Sequence, residues 1–320
     1  MVENTTLPPC RPDQTFATVS PIEGGFITLP DRFFVAPADP EAKRTVPSLS
    51  FLITHPGLQG PGDGSIIPHK KPLRLLFDLG LRSSIDRYIP GQQKHLRSRV
   101  PYRLEPGVAE HLRAQGIEPT DVDVIMFSHV HYDHHGDPED FPRATFIVGP
   151  GSLDVLAHGL SGMGSHQHFD PDLLPKDRTV ELPPTDGSQT EHQEQNWTWT
   201  PLGPFPAALD LLGDESVYLI NTPGHLPGHI NLLCRISPDK WVCLCGDAYH
   251  DPRLLTGEKD IGTWEGEEGR TLCIHLDRGG AEESIGRLRQ LAKLEQVELI
   301  AAHDDGWLEK NRNRMFPSVL

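Results

Sequence analysis

The sequence is short of positive charge. Its 320 residues include 29 lysines and arginines against 45 aspartates and glutamates, a formal net charge of −16 at pH 7. Such a balance repels phosphate backbones and anionic membrane surfaces, so we expect neither a nucleic acid nor a membrane as partner. A local basic patch is still compatible with an acidic net charge of the whole chain. The expected partner is a small-molecule substrate, and the sequence leaves the oligomeric state open, a dimer included.

The sequence also lacks a long apolar run and a regular cysteine framework. No stretch is apolar for long enough to cross a bilayer, and the opening MVENTTLPPCRPDQ has no basic region followed by an apolar run, so we expect no signal peptide. The five cysteines are irregularly spaced, and Cys243 and Cys245 alternate within the apolar WVCLCGD. This pattern predicts buried thiols in a reduced compartment and therefore a cytoplasmic protein.

Short apolar runs between turn signals predict a series of strands. The predicted strands include 48–55, 73–80, 121–129, 144–150 and 297–303, with four more in succession between 207 and 247. Helical spacing of apolar residues over 107–116 and 281–295 predicts two helices. Helix, strand, polar loop and strand in succession indicate an α/β layered fold.

The domain organisation follows from where this pattern is regular. We expect an irregular N-terminal lead over 1–20 and one domain over 21–320. Within that domain, residues 151–205 are polar, proline-rich and interrupted by aromatics. Long loops of this kind inside a domain are often lids or binding loops, so we expect a lid insertion there.

The stretch FSHVHYDHHGD, residues 127–137, holds four histidines and two aspartates at the end of a predicted strand. In extended backbone His129 and His131 project to the same side, so both imidazoles can reach one cation. Asp133 and His134 follow where the chain begins to turn and can face a second position. An isolated His-x-His on a loop is mostly solvated, but the extended pattern after a buried strand indicates metal binding.

Three later segments place further ligand types at predicted strand ends. NTPGHLPGH carries His225, LCGDAYH carries Asp247 and IAAHDDG carries His303. Each residue has an alternative role when taken alone. His225 can stabilise its own turn, Asp247 can cap a helix, and His303 can be an edge histidine whose hydrogen bonds are made within the protein. Because α/β folds collect active sites where strands meet loops, the three residues and the cluster together can supply two coordination sets.

The order of these motifs resembles the metallo-β-lactamase superfamily. The matching strings are LLFDLG, SHVHYDH, TPGHLPGH, CGDA and AAH, and the resemblance runs from about Phe51 to His303, which is most of the chain. It implies an αββα sandwich with a binuclear metal site at one edge.

The resemblance implies a role for each matching residue. The implied metal ligands are His129, His131 and His225 for one ion, Asp133, His134 and His303 for the other, and Asp247 as the bridge between them. Asp78 and His229 would support the site without binding metal, and His135 would lie behind the ligands or face solvent. The implied cofactors are two divalent ions, zinc first, although manganese, iron and cobalt can use the same ligands.

A dinuclear site of this kind implies hydrolysis by a metal-bridging hydroxide, with Asp133 and Asp247 orienting it. The motifs resemble the N-acyl homoserine lactonase branch, which implies opening of a lactone ring. That branch often has a tyrosine three residues after the bridging aspartate. Here Tyr249 comes two residues after it and His250 occupies the third place. Either side chain is a candidate hydrogen-bond donor to substrate, and strand-end packing is the alternative for Tyr249.

Several alternatives stay open. The same site can act on a lactam or a thioester, and a non-catalytic metal-binding protein is a third class. A nuclease is disfavoured by the charge, and a redox di-iron protein by the lack of a flavin-domain pattern. Four aromatics of the insertion can line a substrate pocket or form a satellite core: Phe169, Trp197, Trp199 and Phe205.

Overall fold

Two six-stranded sheets form the centre of the described part of the protein. The structure is a computed structural model and describes residues 6–58, 67–160, 167–188, 197–266 and 269–320. The first sheet contains, in spatial order, β1 (Thr18–Pro30), β3 (Lys43–His55), β4 (Leu73–Phe77), β5 (Val124–Met126), β6 (Thr145–Val148) and β7 (Thr179–Glu181). The pairs β1–β3 and β3–β4 are antiparallel, and β4 to β7 are parallel.

The second sheet is built from the later apolar runs. Its strands, in spatial order, are β8 (Thr200–Leu202), β9 (Phe205–Asp210), β10 (Val217–Asn221), β11 (Ile230–Ser237), β12 (Lys240–Leu244) and β16 (Val297–Ile300). Neighbours from β8 to β12 are antiparallel, and β12 and β16 are parallel. The strands β10, β12 and β16 therefore all run in the same direction.

Shorter elements complete the described chain. Two strand pairs lie outside the large sheets: β2 (Val35–Ala36) with β13 (Asp260–Ile261), and β14 (Thr263–Glu265) with β15 (Thr271–Cys273). The α-helices are α1 (Pro90–Leu96), α2 (Val108–Arg113), α3 (Ser152–His158), α4 (Pro252–Thr256), α5 (Arg278–Leu291) and α6 (Asp305–Lys310). None of the described helices is long and apolar enough to cross a membrane.

The main core lies between the two sheets, and helices cover their outer faces. Alternation along β4 shows the arrangement: Leu75 and Phe77 join the core shared with the second sheet, whereas Leu76 packs with α2 and α3. On the other side α4 and α5 cover the second sheet. Burial of each such side chain stabilises the fold by about 1.5–3 kcal/mol. The predicted αββα sandwich is confirmed, and burial on both faces explains the unbroken apolar runs.

Most predicted boundaries differ from the structure by a few residues, and two of the differences have a local explanation. Helix α5 begins at Arg278, before the predicted 281, because the Asp277 side chain accepts a hydrogen bond from Gly280 N and caps the helix. Strand β3 begins at Lys43, before the predicted 48, and runs through Pro47. A bulge in β1 beside Pro47 accommodates the proline within the sheet.

Candidate metal centre

The strand ends bring the predicted ligands to one edge of the sandwich. His225, Asp247 and His303 follow the parallel-running β10, β12 and β16, and the histidine-rich loop follows β5 of the facing sheet. The loop is tied to the second sheet by a hydrogen bond from Ile230 N to Ser128 O, 2.9 Å long. The carboxyl ends of strands from both sheets therefore meet at one place.

Four of the predicted ligands form a first buried group. His129 Nε2 lies 2.8 Å from His131 Nδ1, which lies 3.0 Å from His225 Nε2. Asp247 Oδ2 lies 3.3 Å from His225 Nε2. A tetrahedral ion with bonds of about 2.0–2.1 Å separates its ligand atoms by roughly 3.3 Å. The four atoms can therefore share one small divalent cation without rearrangement of the backbone.

Three predicted ligands form a second group beside the first. His134 Nε2 lies 3.2 Å and His303 Nε2 lies 3.3 Å from Asp247 Oδ1. Asp133 Oδ2 lies 3.6 Å from His303 Nε2. Asp247 thus turns one carboxylate oxygen to each group, which is the geometry that a bridging ligand requires.

The charge of the site also fits cations. Asp247 is almost fully buried, and its ion-pair partners among the described residues are all histidines. A buried carboxylate is costly unless a positive charge compensates it. Neither lysine nor arginine supplies that charge to Asp247 in the described chain, so metal ions are the compensation that this donor set accommodates.

Burial and neighbouring charges set the protonation of the ligands. Burial, together with neighbouring imidazoles, lowers the pKa of His129 and of His225, so both are neutral at pH 7. Burial also opposes a charge on His134, but the carboxylates of Asp247 and Asp78 outweigh it and raise the His134 pKa. Metal ions bind the neutral imidazole, so a metal ion at the second group would have to displace a proton from His134.

The buried side chain of Asp78 contacts the histidine-rich loop. Its Oδ1 accepts from Ser128 N, and its Oδ2 accepts from Ser128 Oγ, both at 2.7 Å. His134 Nδ1 lies 2.9 Å from Asp78 Oδ2 and must donate, because an ionised carboxylate only accepts. This bond leaves His134 Nε2 free to face Asp247. Asp78 has a φ of 58°, a left-handed conformation that aspartate tolerates better than most residues.

His229 holds the backbone of Asp247. Its Nε2 accepts a hydrogen bond from Asp247 N at 3.0 Å, and its Nδ1 lies 3.1 Å from Thr222 O. Burial lowers the His229 pKa to about 4, which keeps the ring neutral and able to accept. His135 is fully buried and contacts Gly136 O, so of the two alternatives it lies inside the protein rather than facing solvent.

The structure separates the two candidates that follow Asp247. His250 lines the cavity over the two ligand groups, and its Nε2 lies 3.0 Å from Asp247 Oδ2. Tyr249 is buried in the core between the second sheet and its helices and is not among the cavity-lining residues. His250 can therefore contact a molecule bound in the cavity, whereas Tyr249 packs in the core.

The four aromatics of the predicted lid lie outside the described cavity. Phe169 stacks on His131, with ring centroids 5.7 Å apart, and belongs to the core on the outer face of the first sheet. Trp197 and Trp199 pack against the main core, and Phe205 lies in the core of the second sheet. The satellite-core alternative therefore describes these side chains better than a pocket. Residues 161–166 and 189–196 of the predicted lid lie outside the described residues.

The cavity also contains residues that motif analysis missed. They are Leu29, Phe34, His95, Arg99, Tyr132 and Ile274. Behind it, His275 is buried with its ring 5.2 Å from that of His225 and 5.4 Å from that of His250. Leu29, Phe34 and Ile274 leave no sequence signal of a role in the cavity. A signal exists for the other three, because Tyr132 lies within the histidine-rich stretch and His95 and Arg99 lie in a locally basic segment of an acidic chain.

Comparisons with known proteins agree with this geometry. The family model described as metallo-beta-lactamase superfamily matches residues 73–303. An N-acyl homoserine lactone hydrolase, solved with N-hexanoyl-L-homoserine at its catalytic metal centre, superposes with a TM-score of 0.64 at 19% identity. That superposition covers 96% of this chain and 100% of the other, and it shows a common fold.

Sequence relatives carry several functions. The chain is 29% identical to cytochrome P450 monooxygenase mpaDE of Penicillium roqueforti over 94% of its own length but 35% of that protein, so it spans about a third of this relative. It is 27% identical to N-acyl homoserine lactonase AttM of Rhizobium radiobacter, covering 82% of this chain and 84% of the lactonase. Gamma-lactamase MBL2 of Gibberella moniliformis is 30% identical, covering 55% of this chain and 70% of the lactamase.

Proposed function

The chain belongs to the metallo-beta-lactamase superfamily, and from this premise we propose that it is a dinuclear metal-dependent hydrolase that opens a lactone ring. The observation that carries the proposal is Asp247, whose two oxygens face separate groups of ligand atoms at 3.2–3.3 Å. Zinc is the first candidate for both positions because imidazole and carboxylate ligands suit it. Manganese, iron and cobalt are compatible with the same donors.

We assign the ligands as the sequence predicts. His129, His131 and His225 would hold one ion, Asp133, His134 and His303 the other, and Asp247 both. Bound divalent ions would supply a nucleophilic hydroxide at neutral pH and polarise the ester carbonyl. The remaining chemistry belongs to side chains of the chain.

We assign proton transfer and hydrogen bonding to two side chains that line the cavity. Asp133 lines the cavity, so its carboxylate can take the proton of the hydroxyl group that adds to the carbonyl and pass it to the ring oxygen as the ester C–O bond breaks, which leaves a carboxylate and an alcohol. His250 lines the same cavity and can donate a hydrogen bond to a substrate oxygen. The product of these steps is an open-chain hydroxy acid.

Lactone is preferred over the other acyl substrates on two grounds. The lactonase relative AttM aligns over 82% of this chain and 84% of its own length. Two gamma-lactamase relatives align over less of one chain or the other: FDB1 over 78% of this chain but 52% of its own length, and MBL2 over 55% of this chain. An alkoxide also leaves more readily than an amide nitrogen anion, so the proton supplied by Asp133 suffices for an ester. The lactamase match keeps a γ-lactam as the second candidate.

A side-by-side assay tests the proposal. The protein is stripped with a chelator, reloaded with zinc or manganese, and given N-hexanoyl homoserine lactone, the matching γ-lactam and an acyl thioester. We expect ring opening of the lactone, measured by acid release, to exceed turnover of the other two and to stop on renewed chelation. If the lactam or the thioester is turned over faster than the lactone, that compound class replaces the lactone as the assigned substrate. If the metal-loaded protein turns over none of the three, the proposal of a hydrolase is wrong.

A further inference from the structure

A basic segment covers one side of the cavity in an otherwise acidic chain. Residues 82–104 contain six lysines and arginines and one aspartate, whereas the whole chain has a net charge of −16. The segment includes α1 and contributes His95 and Arg99 to the cavity. Its charge is therefore concentrated next to the candidate metal centre.

Most of the cationic groups in this segment are engaged elsewhere. Arg82 and Arg87 form ion pairs with Asp137, and Arg103 pairs with Glu23. Arg97 is exposed and donates to the side-chain oxygen of Gln93. Lys94 is exposed as well. These contacts fix the segment on the protein and leave one guanidinium for the cavity.

Arg99 differs from the three arginines of the segment that form ion pairs, and unlike Arg97 it lines the cavity. No carboxylate of the described chain lies within ion-pair distance of its guanidinium, although the protein is rich in carboxylates. Its Nε donates to His95 Nε2 at 3.2 Å, and the His95 ring packs edge-on against Tyr132 at 5.1 Å. Burial raises the pKa of Tyr132, and the charge of Arg99 counteracts that rise. His95 and Tyr132 thus orient Arg99, and neither brings a negative charge that would cancel the charge of the guanidinium.

The position of Arg99 relative to the ligands defines the subsite. The predicted metal ligands that line the cavity are buried, whereas Arg99 in the same lining is half-buried. The cavity lining also includes the apolar side chains of Leu29, Phe34 and Ile274. A ligand that reaches from the metals to Arg99 needs an acyl group at one end, an apolar body and an anion at the other end.

We propose that Arg99, oriented by His95, is an anion subsite that selects lactones bearing a carboxylate in addition to the ester. The inference rests on the proposed function for the lactone group of the substrate, and on Arg99 alone for its carboxylate. A planar guanidinium matches a carboxylate in shape, and a partly desolvated pair is stronger than one in water. The local charge also offsets the repulsion that the rest of this acidic chain exerts on an anionic substrate.

A matched pair of substrates tests the subsite. γ-Butyrolactone-3-carboxylate and its carboxamide have nearly the same shape, but only the first carries a charge. With zinc-loaded protein we expect Arg99→Met to lower kcat/KM at least tenfold for the carboxylate, mainly through KM, and less than twofold for the carboxamide. Arg99→Lys should restore part of the loss. Arg97→Met is the control, because it removes a neighbouring exposed charge. It should leave kcat/KM unchanged for both substrates.

A binding experiment separates this proposal from the proposed function. The ketone 3-oxocyclopentanecarboxylate has the ring and carboxylate but no ester to hydrolyse, and its carboxamide is the neutral partner. Calorimetric titration should show at least tenfold weaker binding of the carboxylate to Arg99→Met, with the carboxamide unaffected, even in a protein that opens no lactone. Equal effects on charged and neutral ligands, or no preference of the wild type for the carboxylate, would overturn the anion subsite.

Discussion

At the scale of single residues, the carboxylate of Asp247 connects two groups of ligand atoms. Its Oδ2 lies 3.3 Å from His225 Nε2, and its Oδ1 lies 3.2 Å from His134 Nε2. The side chain is held from behind, because His229 accepts the Asp247 backbone N–H. Both oxygens must be present and charged if the carboxylate is to serve two cations, which makes the residue a sharp test of the dinuclear assignment.

The substitution Asp247→Asn keeps the size of the side chain but replaces one oxygen with an NH₂ donor. We expect metal content, measured by plasma mass spectrometry after gel filtration, to fall from two ions per chain to one or fewer. Loss of groups outside a metal's ligands typically costs about 10–100-fold, so removal of a bridging ligand should lower lactone kcat/KM by more than about 100-fold. The exposed Asp154→Asn is the control. Full metal content in Asp247→Asn would contradict the assignment.

Asp78→Asn tests the support of the ligands rather than the ligands themselves. Asparagine tolerates the left-handed backbone at this position but carries no charge to hold His134 Nδ1. We expect zinc affinity to fall by about 10–100-fold. The metal-free protein should also lose about 1–3 kcal/mol of stability in thermal unfolding, because the new NH₂ group faces buried donors. Competition with a fluorescent chelator measures the affinity. An unchanged affinity would mean that Asp78 holds the loop without tuning the metal centre.

At the scale of elements, close backbone contacts fix the turn that carries His225 and His229. A Cβ on Gly149, directly after β6, would lie 2.0 Å from the carbonyl oxygen of Gly228. The two glycines therefore let a loop of the first sheet touch the TPGHLPGH turn of the second. Any enlargement there moves the turn, and with it a predicted ligand of the first group.

Gly149→Ala should be both destabilising and damaging to the site. Overpacking typically costs about 1–3 kcal/mol, and we expect a loss of this size in urea unfolding, together with weaker zinc binding. Gly286→Ala is the matched control, because Gly286 lies inside α5 with nothing within 4 Å of an added Cβ. It should stabilise the protein by about 0.5–1 kcal/mol. Similar behaviour of the two variants would show that the glycine contact is not tight.

The C-terminal segment is attached to β16 by a pH-dependent contact. Burial disfavours ionisation of Glu298, but hydrogen bonds from Arg314 and Trp307 outweigh it and lower the Glu298 pKa below its ordinary value of 4.5. A carboxylate with a lowered folded-state pKa contributes stability above the unfolded pKa and loses it as pH falls through the folded one. Glu298→Gln should therefore lower the Tm at pH 7, and its difference from wild type should shrink as pH falls below about 4.5. A constant difference between pH 7 and 3 in thermal unfolding would contradict this.

At the scale of the whole molecule, the sequence predicts the layers, and the grouping of the candidate ligand side chains, better than the cavity. Strand burial and strand-end ligands are encoded in contiguous runs and motifs, so His129 to His134 and the residues after β10, β12 and β16 could be identified locally. The cavity wall depends on α1 and on single residues such as Phe34 and Arg99, which only the packed structure brings together. The choice between Tyr249 and His250 shows the limit, because a one-residue difference in a turn decides between core and cavity.

Metal content and lactone turnover, followed in one preparation, test the central claim most directly. Metal-free protein is titrated with zinc while bound metal and ring opening of N-hexanoyl homoserine lactone are measured at each step. We predict saturation at two ions per chain and turnover that rises to a maximum by that point. Fewer than one bound ion per chain, with no turnover after addition of zinc or manganese, would contradict the account.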